Sequence, residues 1–289
     1  MPVAQHDIAE RVARARAVAQ GIRRNALLMG ELQGQGYVGQ ALGAADVLAV
    51  VYTDQLRYRR DDPEWDDRDR FLLSTGHYAI GLYATLAEVG VIPREELETY
   101  GSDDSRLPMS GMASYTPGME ISGGSLGHGL TIAVGMALGL RHLGSSRRIF
   151  NFLSDGELNE GSTWEAAMSA ASHRLGRLTA IVDMNALQAD GATSGVLDIE
   201  PVEAKWAAFG WATQRVDGND IEALLTAFDR VVTEDVGAPS VILCDTRIGR
   251  GVPLLEQRVK THFMRIEEHE WAICLEQLQA GFAAEEGTA

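Results

Sequence analysis

Apolar positions along the 289-residue chain fall into two alternating rhythms. Short runs that are almost wholly apolar, Arg148 to Leu153 and Leu178 to Asp183 above all, read as strands buried on both faces. Similar runs occupy 70–74, 211–216 and 240–246. Between them, apolar residues recur at helical spacing, as Ile8, Val12, Ala15, Ala19 and Ile22 do in a helix expected from about 8 to 32. Further helices are expected over 79–89, 130–143, 163–171, 201–209, 221–232 and 267–281, the one from 221 capped by Asp217-Gly218-Asn219-Asp220. Strand and helix alternate, so the expected fold is α/β, a parallel sheet with helices on both faces. One domain is expected over 1–289, with a loose tail from about 283.

Two strand ends carry oxygen donors. Asp155 follows the run ending at Leu153, and Asn185 and Leu187 follow the run ending at Asp183. In a parallel sheet both ends lie at the carboxyl edge, where open α/β sheets bind ligands. A cation such as Mg²⁺ takes one or two protein carboxylates and fills its octahedron with phosphate oxygens and water. Asp155 offers the charge, Asn185 a neutral oxygen, and a turn carbonyl near Leu187 a third ligand. Gly156 lets the backbone approach a diphosphate, and the N-terminus of the following helix favours negative charge. The plainer reading, for either residue alone, is a helix cap and a turn residue.

Other turns add candidates. Gly34-Gln35-Gly36-Tyr37-Val38-Gly39 is a formal dinucleotide fingerprint, but it follows a helix where that motif needs a strand, which sets the reading aside. His77 ends a strand in a Gly-His turn, placed either to donate to a diphosphate oxygen or to cap the next helix. Gly123 to Gly129 opens a helix as an anion cradle does, although such a turn alone is a common helix start. His262 lies past the loop Arg247-Ile248-Gly249-Arg250-Gly251 and is either functional or an exposed loop residue. His6, His142, His173 and His269 default to surface or packing roles.

With 45% hydrophobic and 23% charged residues the composition is that of a soluble globular protein. A formal net charge of −16 argues against nucleic acid or an anionic membrane as partner. Cys244 and Cys274 form no CxxC and sit in apolar surroundings, as inert core thiols of a reducing compartment do. Neither a signal peptide nor a run long enough to span a bilayer is read, so the expected location is cytoplasmic.

The wording Asp155-Gly156-Glu157-Leu158-Asn159-Glu160-Gly161-Ser162-Thr163-Trp164-Glu165, followed by Asn185-Ala186-Leu187-Gln188-Ala189-Asp190-Gly191, resembles the thiamine diphosphate signature, and specifically its transketolase branch. Ser154 stands where the signature has its first glycine. Asp155 remains, so metal binding is expected to survive. The resemblance implies thiamine diphosphate with Mg²⁺, for which Ca²⁺ or Mn²⁺ substitutes, held through Asp155, Asn185 and the Leu187 carbonyl. It also implies cofactor contacts from His77, Gly124, Leu126, Gly156, Asn185 and His262. On the same register Tyr37 and Ser110 replace two substrate-contacting histidines, the second of which handles the hydroxyl beside the donor carbonyl. Both positions become substrate candidates, and the donor is expected to be unusual.

The resemblance covers nearly the whole chain, but only the diphosphate-binding half of a transketolase. It implies a second chain bearing the pyrimidine-binding domain and the glutamate that activates the cofactor, in an α₂β₂ assembly. Glu160 and Glu165 match acidic residues that lie between subunits near that glutamate, so the catalytic set implied is His77, His262 and Glu160. The reaction implied is ketol transfer from a ketose, phosphorylated by expectation, to an aldehyde. One alternative is a chain of an acetyl-transferring or 2-oxo acid-decarboxylating thiamine enzyme, and the other is a non-catalytic regulatory subunit. The run Asn185 to Gly191 speaks against a 2-oxo acid dehydrogenase, which has a Glu-Asn-Asn run there.

Overall fold

Strands β1 (Arg70–Leu73), β2 (Ile149–Ser154), β3 (Leu178–Met184), β4 (Ala212–Asp217) and β5 (Ser240–Asp245) pair in parallel in the order β1-β2-β3-β5-β4. The computed structural model describes residues 7–233, 237–258 and 262–286. Alternate side chains of the strands enter two separate cores, as the pleat demands. Phe71, Leu73, Phe150, Phe152, Ile181 and Ile242 face one, and Leu72, Ile149, Leu153, Ala180, Val182 and Leu243 the other. Burial on both sides is why these runs lack a polar face.

The first core is covered by α1 (Ile8–Gln33), α2 (Val38–Val50), α3 (Ala79–Glu88), α7 (Ile221–Thr233) and α8 (Glu270–Glu286). The second is covered by α4 (His128–His142), α5 (Gly161–Ser172) and α6 (Val202–Ala208). Every residue of α2 is buried, so it carries no polar stripe. The architecture is the three-layer α/β fold expected from the pattern.

Several boundaries move for local reasons. The segment after Asp155 is a 3₁₀ turn, Gly156–Asn159, and α5 starts only at Gly161, so no α-helix N-terminus stands directly behind Gly156. Helix α8 begins at Glu270, whose carboxylate accepts from the Glu267 N–H at 2.9 Å. It continues to Glu286 through the helix formers Ala283-Ala284-Glu285-Glu286, so the tail expected from about 283 is helical as far as that residue. Residues 287–289 lie outside the described residues, as does His6. His142, His173 and His269 are exposed. Both cysteines are free and buried, and burial pushes the Cys274 thiol up to about 11. Among the described residues no helix is long and apolar enough to cross a membrane.

Candidate functional site

The carboxyl ends of β1, β2 and β3 bring His77, Asp155 and Asn185 to one edge of the sheet. Asp155 is 1% exposed. Its Oδ1 accepts from the Gly156 N–H at 2.7 Å and its Oδ2 from the Thr193 hydroxyl at 2.9 Å. Asn185 donates through Nδ2 to Asp183 Oδ2 at 2.7 Å and to the Tyr78 hydroxyl at 2.8 Å, while its Oδ1 accepts from the Leu187 N–H at 2.9 Å. The chain turns there through Ala186 at φ 62°, a left-handed residue inside the expected metal loop. Leu187 then pairs with Ala192 in a two-residue hairpin, and Thr193 returns its N–H to the Ala186 carbonyl at 3.0 Å.

Behind these ligand candidates lies a second carboxylate that the apolar pattern of the strand conceals. Asp183 points from the end of β3 into a buried network, accepting from the Tyr78 and Thr246 hydroxyls as well as from Asn185. Burial, and then the charge of Asp183, push the Asp155 carboxyl up to about 7. Two acids packed together raise the cost of ionising either. A lone acid closing an otherwise apolar strand was the available signal, as was Tyr78 directly after His77.

The opposite wall is backbone. A Cβ on Gly76 would meet Gly123 backbone at 2.5 Å, and one on Gly123 would meet the Leu73 carbonyl at 2.3 Å, so these two turns touch where only glycine fits. Gly124 is exposed with φ +117°, and a Cβ there would lie 3.4 Å from Ser110 Oγ, which places Ser110 beside the glycine loop. Leu126 is half-buried in the same loop. Glu157, which the sequence pattern does not single out either, reaches under the loop. Its Oε1 accepts from the Gly127 N–H at 2.8 Å and from the Ser74 hydroxyl, and burial pushes its carboxyl up to about 7. Glu160 is exposed at the start of α5, next to Gly127.

Over this edge stands a ring cluster. The Tyr37 ring lies 4.8 Å from His77, 5.5 Å from His262 and 5.1 Å from Phe263, and the two histidine rings are 5.3 Å apart. Burial drives His77 down to about 3, with a further contribution from His262, and burial also lowers His262. Gln40, a polar residue inside the buried helix α2, donates through Nε2 to the His262 carbonyl at 2.5 Å and contacts its Nδ1 at 3.2 Å. An amide N–H cannot accept, so Nδ1 of the neutral ring is the acceptor and the proton sits on Nε2. The structure therefore brings Tyr37, His77 and His262 together, and Asp155, Asn185 and Leu187 together.

The donor set has the chemistry a hard cation with a phosphate ligand needs. Among the described residues no three His, Cys, Asp or Glu side chains gather into a cage. One carboxylate and one carboxamide, each oxygen with a lone pair to spare, leave most positions for phosphate and water. Buried polar atoms without partners cluster here: Gln40 Oε1, Thr75 Oγ1, Glu157 Oε2, Asn159 Oδ1 and Gln188 Nε2. Unsatisfied buried groups are rare and costly, and five of them around one edge mark a place where a polar ligand fits.

Residues 14–286 match the family model described as transketolase, thiamine diphosphate binding domain. A transketolase family protein of Sinorhizobium fredii is 61% identical over 266 residues, covering 92% of this chain and 95% of its own. One of the subunits of the apulose-4-phosphate transketolase of Actinobacillus succinogenes is 37% identical over 262 residues, covering 90% of this chain and 94% of its own. A crystal structure of a transketolase mutant from Pichia stipitis superposes with a TM-score of 0.84 at 29% identity, over 92% of this chain and 40% of that one.

Proposed function

This chain belongs to the transketolase family, carrying its thiamine diphosphate-binding domain over residues 14–286, and we propose that with Mg²⁺ and a partner chain it transfers a two-carbon ketol unit from a phosphorylated ketose to an aldehyde. The observation that carries this reading is the placement of the buried Asp155 carboxyl and the Asn185 carboxamide at adjacent strand ends, opposite a glycine wall. A cation held there would keep the carboxylate ionised and offset the cost of its burial.

Asp155, Asn185 and the Leu187 carbonyl would hold Mg²⁺, and the backbone of Gly156, Gly124 and Leu126 would line the diphosphate and thiazolium. When bound, thiamine diphosphate supplies the nucleophilic carbon and the electron sink for breaking a carbon–carbon bond. The chain's own residues bind and position. His77 and His262, both neutral at pH 7, offer N–H donors and ring-nitrogen acceptors for the hydroxyl and carbonyl oxygens of a sugar. Gln40 fixes the His262 tautomer. Tyr37 and Phe263, packed edge to face at 5.1 Å, would add an aromatic wall beside the two histidines. Glu160 faces outward, where a partner's acid would meet it.

A partner is supported by the outer face of α4 and α5. Ile132 and Met168 are 40% and 49% exposed there, and Gly135 and Gly139 have open space above them. Val196 and Leu197, after the Leu187 hairpin, are 43% and 58% exposed. The relative from Actinobacillus succinogenes is itself named as one of the subunits of a sugar-phosphate transketolase. We place the partner's pyrimidine-binding domain over this face, in an α₂β₂ assembly in the cytoplasm.

A second reading, transfer of an acetyl unit from a 2-oxo acid, is favoured by Tyr37, an aromatic ring packed against His77 and His262. Assay of the two-chain complex with a ketose phosphate and with pyruvate as donors separates the two. Turnover of the ketose with an aldehyde acceptor supports the first, turnover of pyruvate alone the second. Cofactor binding without turnover of either would leave a regulatory role.

A further inference from the structure

At the amino edge of the sheet, opposite the candidate site, the turns after α4 and α5 enclose a cavity of about 360 Å³. Ala137, Leu140 and Leu175 give it an apolar floor, and Arg141, Arg147, Arg174 and Arg177 surround it. This is an unusual gathering in a chain with 25 basic and 41 acidic residues. Among the described residues the carboxylate that pairs with these arginines is Asp67, 3.5 Å from Arg147 and 65% exposed. Arg177 Nη1 donates to the Ser146 carbonyl at 2.9 Å and Arg141 Nη1 to the His173 carbonyl, and among the described residues neither guanidinium pairs with a carboxylate. Arg147 Nε is buried without a hydrogen-bond partner.

Arg174 supplies an independent observation. Helices α4 and α5 end side by side in the same reverse turn. In α4 the left-handed position is Gly144, φ 65°, with its N–H on the Arg141 carbonyl and the Ser145 N–H on the Leu140 carbonyl. In α5 it is Arg174, φ 52°, with its N–H on the Ala171 carbonyl and the Leu175 N–H on the Ala170 carbonyl. Glycine is the residue this position favours, and a long side chain there is strained. Strain kept where glycine would relieve it points to a use for the side chain.

We propose that this cavity binds a phosphate-bearing small molecule, its anion among Arg147, Arg174 and Arg177 and its organic body on Leu140 and Leu175. Guanidinium groups recognise phosphate oxygens in pairs, and the volume suits a ligand of nucleotide or sugar-phosphate size. The site is separate from the diphosphate site and does not depend on it.

Calorimetric titration of the full chain with AMP and with inorganic phosphate tests the assignment. The expected result is saturable one-to-one binding that weakens by roughly tenfold or more in Arg174→Gly and in Arg147→Leu. Arg174→Gly suits its backbone, so its melting temperature holds or rises, and lost binding there is not lost folding. Asp155→Ala leaves the titration unchanged. Equal affinity for AMP and inorganic phosphate overturns the role of the apolar floor. Absence of saturable binding, indifference to both arginine substitutions, or loss of binding in Asp155→Ala overturns the site itself.

Discussion

Arg23 and Asp46, between α1 and α2, form a buried pair matched in charge and hydrogen bonds: two guanidinium nitrogens reach the Asp46 oxygens at 3.0 and 2.5 Å, Arg23 Nε reaches the Leu42 carbonyl, and Asn219 Nδ2 reaches Asp46 Oδ2 at 2.9 Å. At the carboxyl edge Asp155 and Asp183 are equally buried but have only hydroxyls, amides and each other. The first cluster balances its charge within the chain and reads as structure. The second gathers two carboxyls with no cationic side chain of this chain among their hydrogen-bond partners, an arrangement that suits a functional site.

Breaking the Arg23–Asp46 pair is predicted to have the largest effect on folding. Arg23→Ala leaves Asp46 buried without its cation and is expected to lower stability by about 3–5 kcal/mol, read from the denaturant midpoint. Cofactor affinity of the folded fraction is unchanged. Asp155→Ala is predicted to do the reverse: Mg²⁺-dependent affinity for thiamine diphosphate falls roughly a hundredfold, about 2.7 kcal/mol. The apo chain melts no lower, because one of two crowded acids is gone.

The pH profile sharpens the contrast. His77 is driven down to about 3 in the fold from an ordinary value of 6.5, so only the unfolded chain takes up its proton as pH falls below 6.5. Its contribution to stability is complete above pH 6.5 and is lost as pH falls toward 3, at about 1 kcal/mol per pH unit. Asp155 and Glu157, pushed up to about 7, contribute with the opposite sign over the same range, so the His77 share is read as a difference. Between pH 7 and pH 5, chemical denaturation is expected to show about 2 kcal/mol more stability lost in the native chain than in His77→Gln.

The smallest effect is expected at Ser154. It ends β2 within the sheet, paired opposite Asp183, and its backbone is not left-handed. Ser154→Gly, which restores the wording of the family signature, should lower stability by about 0.5–1 kcal/mol and leave cofactor affinity within a few-fold.

Much of this was legible in the sequence because strand ends are set by local pattern. Asp155 and Asn185 follow apolar runs, and parallel pairing alone brings such ends to one edge. Asp183, Glu157 and Gln40 were not legible in the same way. Each lies inside or against an element that reads as apolar or helical, and its partner comes from a distant segment: Thr246 for Asp183, Ser74 for Glu157, His262 for Gln40. Which polar residue faces which gap is decided by packing across the sheet, and periodicity carries no record of it. The left-handed Arg174 escaped for a related reason, since a turn that usually holds glycine gave no glycine to see.

We propose that the acids at the carboxyl edge serve a metal-bound diphosphate. Calorimetric titration of thiamine diphosphate with and without Mg²⁺, on the chain alone and beside the chain that supplies the pyrimidine-binding domain, tests it most directly. The expected result is Mg²⁺-dependent binding heat, with affinity that tightens beside the partner and collapses in Asp155→Ala while the fold persists. Equal affinity in Asp155→Ala, or no heat in either setting once the two-chain complex is shown to form, would contradict it.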